Sequence, residues 1–334
     1  MNLEKHIKFT LENLKNILNV LKKKWFSSLN ESHFLKLSKL NKNVLFIWWK
    51  QISWSLSPFI HNYNSYFLNE DKQFFYTLLD LSENDLDFEG LLKYIEKNKN
   101  ILWANVTMPY KIDIFNILKI QNKLTKYALE VWAVNVIWKK GWIIFWDNTD
   151  VFWIMEPIKN NLWKDIDKIS NWYIIWAGWA GKAAIVSLLK LWINNIPIFN
   201  RSDISEIINE FKEKNINIKY VEYDVLNELK NNISDFIKND SILINTLPFW
   251  FKENLPKSPI LDNEFEKIKN KIYLYFDIVY DLNYWDTSLL EKFKNNNIKT
   301  CNWINMLINQ AEWWFKIWTN ENDFKKYDLI KILK

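Results

Sequence analysis

The sequence predicts an α/β fold of two domains, and three observations carry that expectation. The chain has 334 residues, and a single hydrophobic core rarely grows past about 250–300 residues before a chain divides. Short apolar runs alternate with longer stretches of helical spacing, the pattern of mainly parallel sheets covered by helices on both faces. The alternation comes as two series, one starting near residue 44 and one near residue 173.

Residues 1–43 read as one or two polar helices, with Ile7, Leu11, Leu14, Ile17, Leu18 and Leu21 at helical spacing. The first series predicts a strand at 44–47, a helix after Pro58, a strand at 74–79, a helix at 88–97 and a short strand at 104–106. The second predicts a strand at 173–175, a helix at 182–191, a strand at 196–199 and a helix at 204–214. Strands near 220–223, at 242–244 and at 274–279 complete it. Residues 304–318 read as a helix that packs back on the first domain. The expected organisation is a helical extension over 1–43, a first domain over 44–149 joined by 303–334, and a second, doubly wound domain over 150–302.

Glycine occurs 4 times and tryptophan 21 times, whereas ordinary glycine usage of about 7% would give about two dozen. The tryptophans stand at junctions between strand-like and helix-like runs, as in Phe46-Ile47-Trp48-Trp49 and Ile174-Ile175-Trp176-Ala177-Gly178-Trp179. Such junctions often need a positive φ, which glycine adopts freely and a bulky residue does not. A real tryptophan belongs inside an element, half buried, with its indole N–H satisfied. Many of these residues are therefore expected to be glycine in the native protein. That would follow if the cell reads UGA as glycine and the codon was translated as tryptophan.

The run Trp176-Ala177-Gly178-Trp179-Ala180-Gly181 follows a strand and opens a helix. It occupies the place of a G-x-G-x-x-G dinucleotide fingerprint with the first glycine written as tryptophan, so the second domain is expected to be Rossmann-like. Small residues are needed there because a pyrophosphate must reach backbone N–H groups at the helix N-terminus. At the end of the next strand stand Asn200-Arg201-Ser202. An arginine fork suits the 2′-phosphate of NADP, where an NAD site would carry an acidic residue. NADP is the expected cofactor, although Asp203 is adjacent and a second basic residue near Ser205 is absent.

Four segments then converge with two more in order. They are Ser55-Leu56-Ser57-Pro58 with His61-Asn62, Asn105-Val106-Thr107-Met108-Pro109-Tyr110-Lys111, Ala133-Val134-Asn135, Asp147-Asn148-Thr149-Asp150, Asp277-Ile278-Val279-Tyr280, and the run from Trp303 to Ala311. Together these motifs resemble those of the shikimate dehydrogenases over about residues 44–320. The resemblance implies reduction of 3-dehydroshikimate to shikimate, with Lys111 and Asp150 as the catalytic pair. It implies Ser55, Ser57 and Tyr280 around the substrate carboxylate and Asn105, Thr107, Asn135 and Gln310 around the ring hydroxyls. It assigns cofactor binding to Trp176, Ala177, Gly178, Trp179, Ala180, Asn200, Arg201, Ser202, Asn245, Thr246, Ile278, Trp303 and Met306. Trp318 is excepted from the glycine reading, since the family commonly carries tryptophan there. The loop after Tyr280 departs from the family in length and lacks its customary proline, and residues 1–43 have no counterpart in it. Two readings stay open beside this one: a quinate-active relative using NAD, and a non-catalytic binding protein if the tryptophans are genuine.

Other classes are disfavoured. The 44 basic and 39 acidic residues give a net charge of +5 spread along the chain, without the clustering that nucleic acid requires. The sole cysteine, Cys301, permits no disulfide framework and reads as a small buried residue in a cytoplasmic protein. No apolar stretch nears the length of a signal sequence or membrane span. His6, His33 and His61 do not cluster at ligand spacing, so no metal is expected, and His61 reads as structural. The expected partner is a small-molecule substrate, with the chain acting as a monomer or homodimer.

Overall fold

The structure is a computed structural model. It describes residues 3–22, 31–40, 42–48, 55–80, 87–107, 109–140, 143–162, 165–214, 216–224, 232–247, 258–278, 286–326 and 328–329. The chain forms two compact units, residues 1–149 with 307–334 and residues 150–306.

The first unit begins with α1 (Leu3–Lys22) and α2 (Glu31–Ser38), followed by β1 (Asn43–Trp48), α3 (Ser57–Tyr66), β2 (Phe75–Asp80), α4 (Phe88–Lys97) and β3 (Ile101–Val106). It continues with α5 (Lys111–Ile120), α6 (Lys126–Val131), β4 (Val136–Lys140) and β5 (Ile143–Asp147). Its sheet runs β2-β1-β3-β4-β5. The first three strands are parallel and the β4–β5 hairpin is antiparallel. Pro58 sits in the first turn of α3, where a missing N–H loses no helical bond. Thr125 caps α6 by accepting from the Ala128 N–H at 3.4 Å. The hairpin and helices α5 and α6 were not expected from the sequence.

The helices of the amino-terminal extension are part of this unit's core. Leu14, Ile17 and Leu18 of α1 and Phe34 and Leu37 of α2 are buried. Strand β2 lies at the sheet edge, and its outward main-chain groups find side-chain partners. Ser65 Oγ accepts from the Phe74 N–H at 2.8 Å and donates to its carbonyl at 2.6 Å. The Asn62 amide does the same for Tyr76, at 2.8 and 3.0 Å. Thr10 Oγ1, from α1, accepts from the Leu78 N–H at 2.8 Å and donates to the His6 carbonyl at 2.7 Å. An edge closed in this way offers those groups to no further strand.

His61 of α3 is buried, stacked on Tyr76 at 4.5 Å between ring centroids and packed against Trp318 at 5.0 Å. Its Nδ1 has no hydrogen-bond partner. Burial pulls its pKa down from 6.5 to about 3, so the ring is neutral in the fold. As pH falls below 6.5 the unfolded chain takes a proton that the folded one refuses, and stability is lost down to about pH 3. The loss should approach about 1.4 kcal/mol per pH unit within that window. Urea unfolding at a series of pH values should show His61→Phe with a shallower acid slope. Equal slopes in the two proteins would refute the assignment.

The second unit contains α7 (Asp150–Leu162), β6 (Asn171–Ile175), α8 (Trp179–Lys190), β7 (Asn195–Asn200), α9 (Ser205–Lys212) and β8 (Asn217–Glu222). Next come β9 (Ser241–Asn245), α10 (Asp262–Ile268), β10 (Ile272–Asp277), α11 (Ser288–Asn295) and β11 (Lys299–Asn302). Helix α12 (Trp303–Thr319) starts in this unit and ends in the first. All strand pairs are parallel, in the order β11-β10-β9-β6-β7-β8. This is the doubly wound Rossmann order, in which the direction of winding reverses between β6 and β9 and leaves a crevice at the strands' carboxyl ends. Every residue of β9 is buried, as a strand covered on both faces must be. The two-domain α/β expectation is met.

Candidate active site

In the first unit the motif residues collect at the ends of β1, β3, β4 and β5. The Thr107 N–H donates to the Ile47 carbonyl at 3.1 Å, the Val106 N–H to the Asn135 carbonyl at 2.8 Å, and the Asn135 N–H to the Asp147 carbonyl at 3.0 Å. Lys111 opens α5 directly after the turn at Pro109 and is largely buried; its carbonyl accepts from the Val134 N–H at 3.0 Å. Asn135 is buried and exchanges hydrogen bonds with Thr149: its Nδ2 donates to Thr149 Oγ1 at 3.1 Å and its Oδ1 accepts from the Thr149 N–H at 2.9 Å. Gln310 of α12 donates to the same hydroxyl at 3.5 Å. Asn105 accepts from the Tyr76 hydroxyl at 3.0 Å. Ser55 Oγ accepts from the Ser57 N–H at 3.3 Å at the start of α3. The result is a set of short neutral donors and acceptors together with one lysine, suited to a polyhydroxylated ligand.

Thr149 and Tyr76 had been given no role from the sequence, although Thr149 lies inside a recognised motif. Their function in orienting Asn135 and Asn105 depends on partners 14 and 29 residues away. Asp150 is the buried first residue of α7 and belongs to the second unit, as Lys111 belongs to the first. Tyr280 lies outside the described residues.

In the second unit, the exits of β6, β7, β9 and β10 are stitched together. The Trp176 N–H donates to the Phe199 carbonyl at 2.7 Å and the Ala177 N–H to Asn200 Oδ1 at 3.0 Å. Asn200 also donates to the Ser202 carbonyl at 2.7 Å, which shapes the turn carrying Arg201. Thr246 Oγ1 lies 2.7 Å from the Trp176 carbonyl, and the Ile278 N–H donates to the Asn245 carbonyl at 3.1 Å. Gly178 is the N-cap of α8 and no side chain caps that end, while Trp179 and Ala180 form its first residues. A β-carbon at Gly181 would run into the Trp176 carbonyl oxygen, so glycine there permits the helix to approach the turn. Arg201 and Ser202 are exposed. Asp203 accepts from the Ser205 hydroxyl at 2.7 Å. Trp303 and Met306 lie on the first turns of α12 in the same unit.

Trp176 does not suit this cradle. Its φ is 78°, a left-handed conformation that a bulky residue resists. Its indole lies against Gly178, with Nε1 3.1 Å from where a β-carbon of that residue would stand. The Arg201 guanidinium sits 5.8 Å from the indole centroid. The aromatic ring thus covers the helix N-terminus that a pyrophosphate would use, and it engages the arginine expected to hold a 2′-phosphate. With glycine at 176 the same backbone would present an open cradle.

The same conflict recurs at two helix ends. Among the described residues, seven other than glycine have positive φ, and three are tryptophans: Trp132 at 60°, Trp176 and Trp192 at 64°. The other four are Asn or Asp, which tolerate that region. Trp132 ends α6, its N–H donating to the Ala128 carbonyl at 2.9 Å. Trp192 follows α8 and is 92% exposed. Both stand where helices commonly stop on glycine. The buried indole nitrogens of Trp103, Trp146 and Trp314 have no hydrogen-bond partner, which also departs from ordinary tryptophan behaviour. Trp318 differs in its surroundings. It packs into an aromatic cluster with His61, Phe74 at 5.7 Å and Tyr76 at 6.3 Å, although its Nε1 is likewise without a partner.

Among the described residues no cluster of His, Cys, Asp and Glu could hold a metal ion, and no helix is long and apolar enough to cross a membrane. Cys301 is buried beside Asn161, whose Nδ2 donates to Sγ at 3.0 Å, and burial pushes its thiol pKa up to about 12.

Comparison with known proteins agrees with this geometry. Residues 47–137 match the family model of the shikimate dehydrogenase substrate binding domain. The NADP+ shikimate dehydrogenase of Methanocaldococcus jannaschii is 32% identical over 272 residues, covering 79% of this chain and 87% of that one. A crystal structure of shikimate dehydrogenase in complex with NADP+ superposes with a TM-score of 0.66 at 26% identity, covering 88% of this chain and 96% of that one. The fold is shared also with the quinate dehydrogenase of Corynebacterium glutamicum in complex with NAD, at a TM-score of 0.69 and 18% identity over 87% of this chain and 98% of that one. Motifs, strand order and sequence identity along most of both chains lead to one conclusion: this chain is a member of the shikimate dehydrogenase family.

Proposed function

We propose that the protein catalyses the reversible NADPH-dependent reduction of 3-dehydroshikimate to shikimate, in the cytoplasm, with residues 44–149 and 303–334 serving the substrate and 150–302 the cofactor. The observation that carries this reading is the polar set in the first unit, where Asn135, Thr149 and Gln310 share hydrogen bonds in a unit that also holds Lys111. These residues hold one another in place, so the set presents pre-oriented neutral donors and acceptors to a ligand rich in hydroxyls.

Ser55 and Ser57, with Tyr280, hydrogen-bond the substrate carboxylate, and Asn105, Thr107, Asn135 and Gln310 hold the ring hydroxyls. Bound NADPH supplies the hydride. Lys111 gives a proton to the ketone oxygen as negative charge develops there, and the product is the secondary alcohol. Asp150 is the carboxylate we assign to the catalytic pair, its role to orient a substrate hydroxyl. The Ala177–Ala180 turn at the head of α8 would hold the pyrophosphate once residue 176 is glycine. Asn200, Arg201 and Ser202 would hold the adenosine ribose and its 2′-phosphate, and Thr246, Ile278, Trp303 and Met306 would serve the remainder of the cofactor. Arg201 is the reason for preferring NADPH over NADH.

The test is turnover by the full chain carrying glycine at the suspect tryptophans, including Trp176→Gly and Trp179→Gly. Loss of NADPH absorbance with 3-dehydroshikimate is the expected result. Faster turnover with dehydroquinate and NADH would reassign it to quinate, and no turnover with any pair would remove the enzymatic reading. The indole over Gly178 favours a second reading, a binding protein without redox activity, for the chain with tryptophan at 176.

A further inference from the structure

We infer that Asp277 is a positioning residue for the nucleotide site, its buried carboxylate fastening the exits of β9 and β10 to each other and to the head of α11. The inference rests on the NADPH reading above. Asp277 ends β10 and is fully buried. Its Oδ1 accepts from Asn245 Nδ2 at 3.0 Å, and its Oδ2 accepts from the Tyr275 hydroxyl at 2.9 Å and from Thr287 Oγ1 at 2.5 Å. Thr287 is the N-cap of α11 and also accepts from the Leu290 N–H at 3.2 Å, so one hydroxyl both starts that helix and meets the carboxylate.

Asn245 carries the restraint to the cofactor turn. Its Oδ1 accepts from the Leu247 N–H at 3.1 Å and its backbone carbonyl accepts from the Ile278 N–H at 3.1 Å. Between those residues, Thr246 reaches the Trp176 carbonyl. The Asn245 side chain is engaged at both its nitrogen and its oxygen within this clamp, and the backbone it sets carries Thr246 to the cofactor turn. Tyr275 stacks on Phe293 of α11 at 4.5 Å. Burial, then the charge of Asp277, raises its phenol pKa well above the ordinary value, which keeps it a donor at working pH.

A carboxylate and an amide can exchange places here and keep the hydrogen bonds to Tyr275, Thr287 and Leu247 and the one between residues 245 and 277. Asn at 277 would accept the two hydroxyls on its oxygen and donate its amide to Asp at 245, whose other oxygen would accept from the Leu247 N–H. Asp277→Asn alone removes the charge and one acceptor, so the new amide N–H2 faces either the Asn245 N–H2 or the hydroxyls of Tyr275 and Thr287 that now donate to an oxygen; Asn245→Asp alone sets two carboxylates together. The experiment measures NADPH KM, substrate KM, kcat and thermal midpoint for the full chain with Trp176→Gly and Trp179→Gly, and for the same chain with Asp277→Asn, with the double exchange, and with Tyr275→Phe as a variant that removes only a hydroxyl. Asp277→Asn is expected to raise NADPH KM by about 10-fold or more, the energy of one charge-assisted hydrogen bond, while substrate KM moves far less. Tyr275→Phe should produce a smaller shift of the same kind, and the double exchange should recover most of the loss. A lowered thermal midpoint with unchanged NADPH KM in Asp277→Asn and Tyr275→Phe, or no recovery in the double exchange, would overturn the clamp. A parent chain that turns over while the variants match its NADPH KM sinks the clamp alone; a parent that fails to bind NADPH sinks the NADPH reading and the clamp with it.

Discussion

Trp176→Gly is expected to tighten NADPH binding at least about 100-fold, since about 2.8 kcal/mol of overlap between a side chain and a ligand is enough for that factor. The indole rests on Gly178 and occupies Arg201, so its removal frees the helix N-terminus and the arginine in one step. Trp192→Gly is the control. It relieves the same left-handed backbone, at 64°, where strain for a side chain is roughly 1–2 kcal/mol, at a residue that is 92% exposed. Calorimetry should show both variants with raised thermal midpoints and only Trp176→Gly with gained affinity. Binding of NADPH by the tryptophan-bearing chain as tightly as by the variant would end the argument. Intact-mass measurement of protein from the source cell addresses the same point at the level of the residue itself.

Lys111→Ala is expected to lower kcat by about 100- to 10,000-fold, the usual contribution of a positioned acid, with substrate KM altered only several-fold. A group that acts on charge developing in the transition state affects rate more than ground-state binding. Lys111→Arg separates the two parts of the role. Arginine keeps the cation but cannot release a proton near neutral pH, so it should stay close to the alanine variant. Steady-state rates decide the matter: near-complete activity in Lys111→Arg would leave lysine an electrostatic part only, and activity within several-fold in Lys111→Ala would remove it from the chemistry.

Much of the architecture was legible because it is written in local periodicity. The run Ser-Ile-Leu-Ile-Asn of β9 is apolar through its middle, and it folds as a buried parallel strand. The β4–β5 hairpin was not legible, because Val136-Ile137-Trp138-Lys139-Lys140 ends on two lysines, which are uncommon in strands. Lys139 belongs there for a reason outside the hairpin. Its ammonium donates to the carbonyls of Asn98 and Ile101 at 3.1 and 3.0 Å, and to that of Ile95, closing the end of α4. The extension over 1–43 posed the same difficulty. Its helical spacing was plain, but the Thr10 hydroxyl that meets the β2 edge has its partner 68 residues away.

The amino-acid order alone determined where strands and helices alternate, which turn could face a dinucleotide, and where a backbone would demand glycine. Each of those depends on residues a few positions apart, through side-chain size, allowed φ and the spacing of apolar groups. Only the tertiary structure decided that Thr149 orients Asn135 and meets Gln310, that Asp277 joins Asn245 to Thr287, and that the indole at 176 lies over the helix end. Those depend on hydrogen bonds and contacts between segments that folding brings together, and a hydrogen-bonding side chain does not declare its distant partner in the local sequence.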